Sequence, residues 1–416
     1  MCELRLRRHL RSSLLLWAGS LAVAAASDLP VGTQPFTDHR NPPSYRKLSE
    51  TELTRYDLGM TIFNTQFVVA GTPNAGRRDG VGPLFNSASC DACHNNGAHG
   101  RGPTEDGPAP AALVIQLATP GSPNPNDPAG DPVYGRVFNT ISLNGVPPEG
   151  TVIIRYADAT GRYPDGSAWH LRVPHYTFTD LRYGELTPRT IVKPRLAPAL
   201  FGAGLLDAAD AAPRDQGRFG WQATAISVRD QTARAFAREM GLTSTEMPHD
   251  DCTAAETACL QQPNGGSPEV SDDFLDAVVS FQRWLAVPPS PSPHTTPDAT
   301  FAQLGCAACH QPSLNVPGVG SIAPYTDLRL HNLGTRLEDS DVAGHKIPGK
   351  WRTAPLWGLG YRVSFERFPT FLHDGRARSV EEAILWHDGE AVGARKKFEH
   401  LTREQRRAFL HWVETL

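Results

Sequence analysis

The apolar positions of this chain follow two different periods. From Ser49 to about Phe67 the pattern reads as a helix, and from Ser271 to Leu285 the residues Phe274, Leu275, Val278, Val279, Phe281 and Leu285 fall largely on one face of another. Ser379-Val-Glu-Glu382 and Thr402-Arg-Glu-Gln405 match the capping box, in which a hydroxyl and a side-chain carbonyl three residues apart satisfy each other's backbone N–H. Helices are therefore predicted to start there and to run to about His387 and Leu416. Between 111 and 195 the period shortens. Ala112-Leu-Val-Ile-Gln-Leu117, Thr151-Val-Ile-Ile-Arg-Tyr156 and His170-Leu-Arg-Val-Pro174 are short strand-type runs separated by Gly and Pro. The pattern as a whole predicts a mainly α chain whose first part carries a β-rich insertion, about 111–195.

Val287-Pro-Pro-Ser-Pro-Ser-Pro-His-Thr-Thr-Pro297 holds five prolines in eleven residues. Proline lacks the N–H a helix needs, so the stretch reads as an extended linker, 288–296. It divides an N-terminal domain, 27–287, from a C-terminal one, 297–416, each of ordinary domain size or somewhat larger.

The first residues are of another kind. Arg5, Arg7, Arg8 and Arg11 precede an apolar run from Leu14 that ends in small residues, with Ala24-x-Ala26 as a cleavage site before Ser27. Residues 1–26 are thus read as a secretory signal peptide, which predicts export to the periplasm. A membrane anchor fits less well, because the run is about 13 residues and a spanning helix needs about 20. No later stretch reaches that length, so no membrane span is expected after signal removal. A net charge of −4 offers no basic field for nucleic acid. Hydrophobic residues make up 40% of the chain, enough for packed cores despite 37 Gly and 36 Pro.

Four of the seven cysteines lie in two pentapeptides, Cys90-Asp91-Ala92-Cys93-His94 and Cys306-Ala307-Ala308-Cys309-His310. Two thiols and an imidazole at this spacing are what attaches a c-type haem. The cysteines add across the porphyrin vinyl groups, and the adjoining histidine becomes the proximal iron ligand. Half a zinc site would leave both histidines unexplained, and a thioredoxin-like dithiol would need a βαβ setting that Asp79-Gly-Val-Gly-Pro83 does not provide. One motif lies on each side of the linker. The expected architecture is therefore two cytochrome c-like haem domains with two covalently bound haem c. Cys2 would leave with the signal, and Cys252 with Cys259 is predicted to form a structural disulfide in the oxidising compartment.

The sixth iron position separates electron carriage from chemistry. Beyond the signal, the methionines are Met60, Met240 and Met247, all before the linker, so the C-terminal haem has a histidine or a vacancy there. Its candidates are His331, His345, His373, His387, His400 and His411.

Thr326-Asp-Leu-Arg-Leu-His-Asn-Leu-Gly334, Trp351-Arg-Thr-Ala-Pro-Leu-Trp357 and Phe371-Leu-His-Asp-Gly375 follow the second motif in order. This arrangement resembles the bacterial di-haem cytochrome c peroxidase/MauG superfamily. Further marks are Asp79-Gly-Val-Gly-Pro-Leu-Phe-Asn86, Phe201-Gly-Ala-Gly-Leu-Leu206, Gly217-Arg-Phe-Gly-Trp-Gln222, Gln231 to Gly241 and Arg352-Thr-Ala-Pro-Leu-Trp-Gly358. With these the chain resembles, from about residue 55 onward, the di-haem oxidoreductase family that also carries the label thiol oxidoreductase.

The resemblance implies a distal ligand about fourteen residues past the His-Asp-Gly element, which is His387 here, in place of the methionine usual in the peroxidases. It leaves His331 and His373 as groups that bond propionates or orient neighbours. The peroxidases also place a histidine about sixteen residues after the first motif, where this chain has Ala109-Pro110-Ala111. His99, His170 and His175 are alternatives for that iron, or its position is open. The implied function is a periplasmic di-haem oxidoreductase in which a bis-histidine C-terminal haem relays electrons to a reactive N-terminal haem, with Trp221 or Trp284 as bridges. Peroxide reduction and plain electron transfer are the alternatives. A small cytochrome or cupredoxin would serve as redox partner. Related peroxidases hold a calcium ion between their haems, but no ligand cluster for it stands out in the sequence.

Overall fold

The computed structural model describes residues 31–36, 41–122, 124, 127–211, 217–289 and 298–416. The expected signal peptide and all of the linker but its first two residues lie outside them.

The N-terminal core is built on two helices. Helix α1 (Glu50–Asn64) starts at a full capping box, with the Ser49 hydroxyl on the Glu52 N–H and the Glu52 carboxylate on the Ser49 N–H. Helix α2 (Val228–Met240) and helix α3 (Asp272–Trp284) pack beside it. A Cβ placed on Gly59 of α1 would lie 1.9 Å from the Ala277 carbonyl oxygen of α3, so the glycine sets how closely the two backbones approach. Tyr56 and Phe63 of α1 then meet Phe281 at ring distances of 5.3 and 5.1 Å.

The insertion folds as strands β1 (Leu113–Ala118), β2 (Thr151–Arg162), β3 (Ala168–Thr179) and β4 (Ile191–Leu196). β2 and β3 form a twelve-residue antiparallel hairpin running from Thr151↔Thr179 to Arg162↔Ala168. β1 and β4 pair from Leu113↔Leu196 to Ala118↔Ile191. Val137–Phe138 extends this second sheet beyond β1. On its other side, Asp339–Asp341 and then Lys346–Ile347 continue it beyond β4. The C-terminal part of the chain thus completes a sheet begun by the insertion, through Ser340↔Val192 and Asp341↔Ile191.

The expectation of a mainly α chain is corrected here. Helix takes 29% and strand 20%, and the architecture does not confirm two cytochrome c-like domains. The physical reason lies in strands two or three residues long, such as Leu330–His331 and Trp351–Arg352. They are too short to carry a periodicity and are stabilised only by partners distant in sequence. The helix α4 (Val380–Trp386) ends with His387 as its C-cap, as expected, and α5 (Arg403–Val413) stops three residues before Leu416. Thr402 and Gln405 complete their capping box. Ser379 accepts the Glu382 N–H, but the Glu382 carboxylate turns to the Arg172 N–H and to Arg378 instead. Among the described residues no helix is long and apolar enough to cross a membrane.

Candidate functional site

The two pentapeptides adopt the same local shape. Cys90–Cys93 is a single helical turn, capped by the Ser89 hydroxyl on the Ala92 N–H, and the His94 N–H closes it on the Cys90 carbonyl at 2.8 Å. Cys306–Ala308 forms a tighter turn in which the His310 N–H reaches the Cys306 carbonyl at 2.9 Å. Its entry needs Gly305 at φ 96°, a conformation a side chain would oppose. Burial pushes the Cys90 thiol up to about 12 and those of Cys93, Cys306 and Cys309 up to about 11. Such thiols are poor nucleophiles, which disfavours dithiol exchange.

Both motif histidines are fixed by a backbone carbonyl. His94 Nδ1 meets the Pro198 oxygen at 2.8 Å and His310 Nδ1 meets that of Tyr325 at 3.0 Å. Burial lowers each to about 4, so both imidazoles are neutral near pH 7. With the proton on Nδ1, the Nε2 lone pair is free for a metal. His387 is held in the same way, Nδ1 to the Ala383 carbonyl at 2.8 Å, and burial lowers it too.

The ring centroids of His310 and His387 lie 6.5 Å apart, with the ring planes inclined at 53°. Metal–imidazole bonds of about 2.0–2.1 Å on opposite sides of one ion put the two ring centres about 6.3 Å apart. The pair therefore fits a six-coordinate haem iron.

A family model described as "Di-haem oxidoreductase, putative peroxidase" matches residues 31–114 and 197–416. The chain belongs to the di-haem oxidoreductase family. The matched stretches contain both pentapeptides and His387, and the residues passed over hold nearly all of strands β1 to β4. Among solved structures, this oxidoreductase is 12% identical to the hydrazine synthase of Kuenenia stuttgartiensis, over 99% of this chain and 100% of that one, with a TM-score of 0.36. It is 15% identical to a MauG-like protein associated with microbial copper homeostasis, over 94% and 95%, at 0.37. Likeness at this level carries no argument about mechanism. No curated protein matches.

In this di-haem oxidoreductase the remaining predicted residues fall into distinct settings. His331 has neither ring nitrogen to offer a metal: Nε2 is 2.9 Å from Asp327 and Nδ1 2.8 Å from Glu390. Burial opposes its charge, but the bonds to Glu390 and Asp327 outweigh it and raise its pKa. His373 is buried and stacked on Trp351 at 3.8 Å, with its carbonyl accepting the Leu196 N–H, and burial lowers it to about 3. His170, His175, His345, His400 and His411 are exposed. Cys252 and Cys259 are joined as a disulfide. Among the described residues no group of three or more His, Cys, Asp or Glu is arranged to hold a metal ion.

Sequence reasoning offered His99 as one alternative for the first iron, and it missed Arg362 and Glu239. His99 has a sealed Nδ1 without a partner, and burial with nearby Arg362 and His94 holds it well below its usual pKa. Arg362 likewise has a sealed Nη2 without a partner. The Glu239 carboxyl has a sealed, unpartnered Oε2 and is pushed up to about 8 by burial, while its charge acts on Cys93. No local signal marks Arg362 or Glu239, since burial of a charged residue is decided by distant chain. Of the two tryptophans considered as bridges, Trp284 lies under Arg46 at 4.1 Å. Trp221 donates Nε1–H to the Leu196 carbonyl at 2.7 Å, two residues from the Pro198 carbonyl that holds His94.

Proposed function

We propose that this oxidoreductase is an exported, periplasmic enzyme carrying one covalently attached haem c at Cys90 and Cys93 and another at Cys306 and Cys309. Bound haem would supply one-electron redox chemistry and, where an axial position is open, a place for a small oxidant. At the second site His310 and His387 would hold the iron, and the haem there would serve to relay electrons. The first site meets the substrate, with His94 as the fixed imidazole. The observation that carries this reading is the pair of buried imidazoles with ring centroids 6.5 Å apart. Trp221 lies on the route between the sites, joined through Leu196 to Pro198 by one hydrogen bond and two peptide units. The Cys252–Cys259 bridge supports an oxidising compartment.

Peroxide reduction is the substrate chemistry best supported, because a proton donor stands near the first motif. Glu239 keeps its proton near neutral pH and has an unpartnered Oε2, so it can deliver that proton to an oxidant admitted there. A small cytochrome or cupredoxin would supply the electrons.

The test is low-temperature EPR of the purified holoprotein and of His387→Gly. The substitution is expected to remove one low-spin signal, and added imidazole to restore it. Two unchanged iron signals would sink the assignment. Carbon monoxide added to the reduced wild type should shift the Soret band of the first haem only; no shift at all would leave plain electron transfer as the function.

A further inference from the structure

Of the six buried arginines among the described residues, Arg195, Arg362, Arg376 and Arg406 meet a carboxylate, while Arg172 and Arg218 each donate to three or more backbone carbonyls instead. Arg195 meets Asp339 at 2.6 Å, Arg376 meets Asp374 at 2.9 Å and Arg406 meets Asp165 at 2.8 Å. Arg352 has none. Its Nε donates to the Gly220 carbonyl at 3.0 Å and its Nη1 makes a long contact of 3.5 Å to that of Thr353, while Nη2 donates to no described residue. Protein encloses the group so closely that burial alone acts on its pKa, lowering it to about 10, with no neighbouring charge to offset the cost. The residue nevertheless keeps part of its surface accessible. A cation enclosed by protein, with a free edge and no counter-ion, is an expensive arrangement unless an anion arrives from outside the chain.

Its position says which anion. Arg352 ends the Trp351–Arg352 strand, paired with Leu330–His331, and two residues further on the Ala354 backbone lies against the His310 ring and favours its protonated form. The Arg352 N–H is bonded to the Trp221 carbonyl at 2.9 Å. A haem carries two propionate carboxylates on its edge, and a planar guanidinium matches a carboxylate with two parallel N–H donors.

We propose that Arg352 anchors a propionate of the haem carried by Cys306, Cys309 and His310, and ties that edge of the cofactor to the Gly220–Trp221 turn. The proposal rests on the di-haem reading given above. It makes Arg352 a positioning residue that also sets the potential of the second site, since a cation beside the cofactor favours the reduced form.

The experiment is spectroelectrochemical titration of the holoprotein with Arg352→Gln and Arg352→Lys, together with resonance Raman of the propionate bending band. In Arg352→Gln the reduction equilibrium of the bis-histidine haem should fall about tenfold, which is about 59 mV for one electron, and its propionate band should shift. Arg352→Lys should keep most of the potential but still shift the band, because an ammonium cannot pair two donors in a plane. A glutamine variant with two haems and with both potentials and the band unchanged overturns the proposal. If that variant fails to mature, an unchanged band in the lysine variant does the same. Haem content is read separately by pyridine haemochrome, so wild-type protein without haem would remove the di-haem reading itself and the anchor with it.

Discussion

Replacing Arg172 by methionine should be among the most damaging single changes in this protein. Its side chain is 4% exposed, on strand β3, and every polar atom is engaged. Nε donates to the Arg376 carbonyl at 3.0 Å, Nη1 to Thr104 at 2.9 Å, and Nη2 to Pro103 and Gly375 at 2.9 Å each, with the guanidinium lying over the Tyr156 ring at 3.9 Å. Two segments far apart in sequence, 103–104 and 375–376, are thereby fastened to the insertion hairpin. Methionine has similar bulk and no donor, so four carbonyls lose their partner. An unsatisfied buried polar group costs about 1–3 kcal/mol, which makes about 4 kcal/mol a lower bound if all four stay dry. That is a large part of the roughly 5–15 kcal/mol that holds a typical native protein together. Urea unfolding of the holoprotein, followed by far-UV dichroism and by the Soret band, should show a midpoint far below wild type. The Soret change should come first, because residues 375–376 lead into α4 and His387. Lysine at 172, with one ammonium for four carbonyls, should recover only part. A methionine variant within about 0.5 kcal/mol of wild type, the range of an ordinary surface change, would refute the reasoning.

Two further outcomes follow from buried contacts. Glu149 and Glu256 are each 1% exposed and act on one another; burial, then the Glu256 charge, raises Glu149 well above the usual carboxyl value. The folded state therefore holds a proton that the unfolded chain gives up near pH 4.5, so this contribution is complete below that pH and is lost as pH rises through the elevated folded value. Urea midpoints measured from pH 4.5 to 8 should fall less steeply for Glu149→Gln than for wild type, and an equal or steeper fall would contradict the pairing. Gly59→Ala puts a methyl 1.9 Å from the Ala277 oxygen, which forces α1 from α3 at a cost of about 1–3 kcal/mol; an unchanged thermal midpoint would mean that the helices are not in contact there.

What the sequence disclosed about this fold was whatever one turn of chain decides for itself. The two pentapeptides stand out because two thiols and an imidazole within five residues are the pattern that haem attachment would need, and each folds as one local turn. The capping box at Thr402 is just as local, and its helix is in place, as is the one expected from Ser49. His387 was legible only through the family resemblance and the lack of methionine beyond the linker. Nothing in the residues around it tells of the 6.5 Å pairing with His310. The short strands escaped because Asp339–Asp341 becomes a strand only by meeting Ile191 and Val192, about 150 positions earlier.

The same distance dependence explains the largest misreading of charge. Ser379 and Glu382 make a recognisable capping signature, yet Glu382 is drawn off by the Arg172 N–H, 210 residues away. An arginine in a strand-type run looks like a solvated position until its partners are known, and Arg172, Arg195, Arg352 and Arg376 are all enclosed in the folded protein. Three of the four have their donors matched by carbonyls or carboxylates of the chain itself. Since burial of a cation is favourable only with such a match, Arg352 is the one of the four whose charge the described residues leave unanswered, and that is the ground on which the propionate anchor is proposed.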